Sequence, residues 1–156
     1  PMFKKSLLAL AMTLSLAGSA QASTWEIDAG HSAANFSVRH MMVSNVRGAF
    51  GKVTGTVNVD DKDITKSTVE ATIDVSTVDT REAKRDEHLK SPDFFDVARF
   101  PRATFESTAI RVGGSNGATH TVTGTLSLHG QSRSITFPAT PVSRASSPWC
   151  RCVSLR

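Results

Sequence analysis

Val53-Thr54-Gly55-Thr56-Val57-Asn58-Val59 is followed by Asp60-Asp61-Lys62-Asp63 and then by Val69-Glu70-Ala71-Thr72-Ile73-Asp74-Val75. In both runs every second residue is apolar or small, which is the repeat of a strand with one buried face. The acidic cluster between them is turn chemistry. Two such strands make an antiparallel pair that packs on one side and meets water on the other.

The same alternation extends in both directions. Upstream, Trp25 and Ile27 share a face, as do Ala34, Phe36 and Val38 in the run 34–40. Downstream come Ala103, Phe105 and Ser107, then Val122, Gly124, Leu126 and Leu128, then Ile135, Phe137 and Ala139. Gly113-Gly114-Ser115-Asn116-Gly117 and His129-Gly130-Gln131 supply the residues that hairpin connections require. Strands joined this way form an up-and-down meander, and a one-sided meander loses its open edges by closing into a barrel. The predicted fold class is therefore all-β, an antiparallel β-barrel with one short helical segment. Alternation alone fits a sandwich as well.

The helical segment is 81–90. Asp79 is placed to cap it with Glu82 in the third position, and Ser91-Pro92 offers a second helix start. Only Ala83 and Leu89 are apolar in the first stretch, so this helix cannot bury a wide face and reads as a cover.

Inward positions held by Gly55, Ala71, Ala103, Ser107, Gly124 and Ala139 are small where a filled core favours Leu, Ile or Phe. Small inward side chains either leave room for a ligand or accommodate taper and bulges.

With 156 residues the chain suits one domain, and its 39% hydrophobic and 21% charged residues exclude a fibrous or wholly disordered protein. The +4 net charge is misleading, because Lys4 and Lys5 lie near one end and Arg144, Arg151 and Arg156 near the other. Between Ser23 and Thr140 there are 13 basic and 14 acidic residues, which leaves little support for a nucleic-acid partner. Lys4 and Lys5, the apolar run 7–17 and Ala20-Gln21-Ala22 have the order of a secretory signal peptide with cleavage after Ala22, which predicts a bacterial periplasmic protein. Cys150 and Cys152 are too close for an ordinary structural disulfide.

The five histidines, His31, His40, His88, His120 and His129, show no metal-binding spacing, and no nucleophile elbow or glycine-rich phosphate loop is present. Neither metal nor cofactor is implied. An enzyme reading would draw on His31, His40, Asp86 and His88 around a cavity, as a hydrolase or isomerase. Arg85 and Asp86 do not face each other on a helix, so each is expected to tie the helical segment to a strand end. Arg85 or His88 meeting a polar ligand head is the functional alternative.

Taken in order, Trp25-x-Ile27-Asp28, His31-Ser32, Phe36-x-Val38-x-His40, Gly48-x-Phe50, Val78-Asp79-Thr80, Arg85-Asp86-x-His88-Leu89, Phe94-Phe95-Asp96, Phe100-Pro101-x-Ala103-x-Phe105 and Gly124-x-Leu126-x-Leu128-x-Gly130 resemble the YceI-like family over 25–139. The resemblance implies a secreted, lipocalin-like barrel of eight strands whose apolar tunnel holds a polyisoprenoid, such as a quinone or polyprenyl phosphate. It also implies a stress-linked periplasmic carrier without catalysis. The lining residues expected on this basis are Phe36, Val38, Phe50, Phe94, Phe95, Phe105 and Leu126, with Arg85 and His88 at the mouth.

The resemblance predicts about two more strands after Thr140, with an Arg-x-x-Phe-Gly region. Residues 141–156 have no acidic residue and no alternation and hold both cysteines. They read as an aberrant, disordered tail from a frameshifted or truncated end, which divides the chain into a leader (1–22), a lipid-binding domain (23–140) and a tail (141–156). A barrel incomplete at its C-terminus would expose strand edges, which predicts aggregation or a homodimer paired through them.

Overall fold

The computed structural model describes residues 22–41 and 43–140. The predicted leader, apart from Ala22, and the predicted tail lie outside the described residues. Among the described residues nine strands and one α-helix follow in order: β1 (Ala22–Glu26), β2 (Ala34–His40), β3 (Ser44–Phe50), β4 (Val53–Asp60), β5 (Thr68–Asp74), β6 (Val78–Asp79), α1 (Ala83–Lys90), β7 (Arg102–Val112), β8 (His120–Leu128) and β9 (Gln131–Ala139). Two 3-10 turns, Ile64–Lys66 and Val75–Thr77, flank β5.

Among the described residues all pairings are antiparallel, and they form two sheets. Six strands run in the order β1-β4-β5-β7-β8-β9, and three more in the order β2-β3-β6. The all-β antiparallel expectation holds. Barrel closure does not occur among the described residues, where β1 and β9 are the two ends of the larger sheet. The hairpin of β2 and β3 pairs with β6 instead of extending either end.

Register puts the expected faces together. Trp25, Val57 and Val69 stand in one row across β1, β4 and β5. Gly55, Ala71, Phe105 and Leu126 form another across β4, β5, β7 and β8. A bulge between Ser107 and Ala109 shifts β7 so that Ile110 joins Val122 and Phe137. The β8–β9 connection is a two-residue loop in which His129 and Gly130 both have positive φ, as a type I′ turn requires.

The core has two centres. One gathers Val57, Val69, Phe105, Ile110, Val122 and Ala139 on the larger sheet. The other gathers Phe50, Val75, Val78 and Ala103, with Phe36, Leu89, Phe95 and Leu128 against them, and so joins the smaller sheet to α1 and to the ends of β5, β7 and β8.

The helix starts later than the sequence suggests. Its N-cap is Glu82, whose carboxylate accepts from the backbone N–H groups of Lys84 and Arg85. Asp79 instead accepts from the N–H of Arg81, which takes a positive φ of 63°. After Ser91 the chain makes turns and no second helix, because Phe94 and Asp96 both donate to the Ser91 carbonyl.

Candidate functional site

Four of the six inward small residues, Gly124, Ala103, Ala139 and Ser107, accommodate packing and do not leave room. A Cβ at Gly124 would collide with the Phe105 ring and the Glu106 carbonyl, so the aromatic ring already occupies that space. Gly48 is covered in the same way by the ring of Phe36. Ala103 and Ala139 are buried, and the Ser107 hydroxyl accepts from the Val69 N–H at 2.8 Å.

Openness comes from large side chains instead. Only eleven hydrophobic residues are buried among those described, and Val75 alone of the large ones is sealed. Trp25, Ile27, Val59, Leu126, Ile135 and Phe137 pack on the first core yet stay partly accessible. Phe36, Leu89, Phe95, Val97 and Leu128 do the same around the second. In a filled interior these residues would be shut away from water.

The candidate lining residues fall into two groups. Phe36, Phe50 and Phe95 form an aromatic cluster, with ring centroids 5.3 Å apart for the first pair and 5.6 Å for the second. Phe105 and Leu126 are register partners on β7 and β8, and Phe105 packs 5.4 Å from Phe137. Val38 (56% exposed) and Phe94 (48% exposed) belong to neither core. Phe137, Ile135 and Trp25 belong to the same surface, and the alternation of β1 and β9 was the signal that could have included them.

Arg85 is engaged within the chain. Its Nε donates to Thr80 Oγ1 at 2.7 Å and its Nη2 to the Thr80 carbonyl at 2.9 Å. Asp86 Oδ1 accepts from the Thr80 N–H at 2.9 Å and from its hydroxyl at 2.6 Å. Hydrogen bonding from Thr80, helped by the charges of Arg85 and Lys90, holds the Asp86 carboxyl below its ordinary value against the opposing effect of desolvation. Both residues thus tie α1 to the end of β6, as expected of a structural role.

His88 lies edge-on to Phe94 with ring centroids 4.9 Å apart, and its Nε2 is 3.4 Å from Asp93. His31 Nδ1 is 2.8 Å from Asp28. His40 is placed by its backbone, opposite Ser44 at the far end of β2. The described members of the His31, His40, Asp86 and His88 set therefore have separate local partners. Among the described residues no group of three His, Cys, Asp or Glu side chains is arranged to hold a metal.

Two shallow depressions, of about 250 and 350 Å³, lie over β4, β5 and β7. The first touches Phe105, Gly55 and Ala71, and the second is polar, with Lys52, Asp74 and Arg102. Neither reaches the Phe36, Phe50 and Phe95 cluster.

A family model described as a YceI-like domain matches residues 25–151. The chain belongs to the YceI-like family. A UPF0312 protein of Pseudomonas aeruginosa is 37% identical over 152 residues, covering 95% of this chain and 78% of the relative. Protein YceI of Escherichia coli is 37% identical over 150 residues, covering 94% and 77%. Among solved structures, BcnA of Burkholderia cenocepacia aligns with a TM-score of 0.61 at 26% identity, covering 79% of this chain and 70% of BcnA. The YCEI protein of Campylobacter jejuni aligns with a TM-score of 0.59 at 27% identity, covering 78% and 70%. The YceI-like match continues to residue 151, beyond the stretch 25–139 that carried the resemblance in the sequence.

Proposed function

We propose that this YceI-like protein is a non-catalytic periplasmic carrier that holds a long isoprenoid lipid, such as a quinone or polyprenyl phosphate, against the apolar faces of its two sheets. One observation carries the reading: the large apolar side chains on those faces pack on the cores yet remain partly open. Family membership supports it, since the resemblance implies a polyisoprenoid ligand, and so does the leader-like order of residues 4–22. A role under stress belongs to the same family-based reading.

The energetics favour a long chain over a specific head. Each buried methylene-sized unit contributes about 0.8 kcal/mol, so a few isoprene units give a large gross gain. Association and ordering offset much of it. Affinity should therefore climb with isoprene number and respond weakly to the head group. Phe36, Phe95 and Leu126 are the proposed wall, backed by the buried Phe50 and Phe105, with Val38 and Phe94 at the rim and Arg85 and His88 as the proposed head-group contacts.

The rim supplies the test. Val38→Asp with Phe94→Asp changes two exposed positions and leaves both cores intact. The expected outcome is a folded protein, by circular dichroism, that loses most of its extractable prenyl lipid. Unchanged lipid content in the folded variant would contradict the assignment.

A further inference from the structure

The β2–β3 hairpin ends in an apolar tip that lipid holding does not use. Met41 is 78% exposed and Val43 90% exposed, and Val38 continues the apolar surface along one face of β2. Met41 also takes φ of 48°, a left-handed conformation that Gly or Asn would adopt more readily. Neither burial nor backbone ease explains these side chains at a turn. Among the described residues β3 meets β6 only at Ala49 and Phe50, so the outer part of the hairpin pairs only with itself.

Charge accompanies the tip. The pairs Ser37 with Arg47 and Arg39 with Asn45 put both arginines on one face, opposite Phe36 and Val38. Both arginines are exposed. No acidic residue occurs between Asp28 and Asp60, so the hairpin's own sequence does not neutralise them. Apolar side chains flanked by basic ones match the composition of segments that lie in a bilayer interface.

We infer that the tip of this hairpin docks the protein on an anionic bilayer, with Met41 and Val43 entering the interfacial zone and Arg39 and Arg47 meeting lipid phosphates. A second copy of the same hairpin is a poorer occupant, because it would set arginine against arginine with no carboxylate from either hairpin to relieve them. Lipid transfer at the docked surface rests on the carrier reading, since docking brings Phe36 and Val38 towards the membrane from which an isoprenoid would enter.

Flotation of the exported protein with phosphatidylcholine vesicles, with and without phosphatidylglycerol, tests the docking. The protein is expected to float with the mixed vesicles and to release as salt is raised. Arg39→Gln with Arg47→Gln should weaken that binding by about 5-fold for each arginine removed. Met41→Asp with Val43→Asp should abolish it and leave the circular dichroism unchanged. Failure of the unmodified protein to float would overturn the inference, as would full binding by the Met41 and Val43 variant. A dimer that the same variant dissociates in the absence of vesicles would also overturn it, by assigning the tip to a second copy. Lipid extracted from the unmodified protein is a separate readout: no flotation with isoprenoid present sinks docking alone, whereas flotation by a protein free of isoprenoid upholds docking and sinks the carrier reading.

Discussion

The Thr80 hydroxyl donates its single proton to Asp86 and keeps a lone pair for Arg85 Nε, so one buried side chain binds two oppositely charged residues of α1. Asp63 and Asp74 are held in a comparable way, their carboxyls lowered chiefly by the hydroxyls of Thr65 and Ser76. Because these folded-state values lie below the unfolded ones, the stability they contribute is present above the ordinary carboxylate value of 3.8 and is lost as pH falls through the folded values. The urea midpoint should therefore decline on the acid side of about pH 4. Asp86→Asn, which keeps an acceptor for Thr80 and removes the charge, should make that decline shallower. An unchanged acid slope would show that the Asp86 charge plays no part. Gly124 makes a sharper demand: Gly124→Ala sets a methyl against backbone and ring together, and overpacking of this kind costs about 1–3 kcal/mol. The loss should appear as a lowered urea midpoint with an unchanged slope. The sequence showed Gly124 as an inward small residue, but a single strand cannot reveal that the ring of its register partner's neighbour lies over it.

At the level of elements, the strands with regular alternation were legible, since Val53 to Val59 and Val122 to Leu128 each carry enough apolar residues at period two. The strand β3 was not recognised as one. Gly48 interrupts its apolar set, and the turn before it uses Met41 in a left-handed conformation where sequence rules look for Asn or Gly. The helix was legible in position and weak face, since it has no buried residue, but its start was misplaced. Asp79-x-x-Glu82 has the spacing of a capping box, yet Glu82 caps alone while Asp79 closes a turn on Arg81. Glu82→Ala should then cost about 1 kcal/mol, the usual price of a lost cap. Asp79→Ala, measured beside it by urea unfolding, should not lower stability through the helix, and equal helix loss in both variants would restore the capping box.

For the whole molecule, the sequence showed the antiparallel class and the family, because both depend on patterns local to each strand. It could not show that the described strands divide into two sheets, since which strand neighbours the β2–β3 hairpin is decided by long-range pairing. The candidate site divides the same way: the aromatic residues were legible one by one, but their grouping around two cores was not. Arg85 was legible as a strut, and its partner Thr80 emerged only from the fold. On the carrier reading, the open apolar faces serve a long, flexible hydrocarbon. Mass spectrometry of an organic extract from the natively purified protein tests it most directly. An isoprenoid in near-equimolar amount is expected, and an extract free of prenyl lipid would rule the carrier reading out.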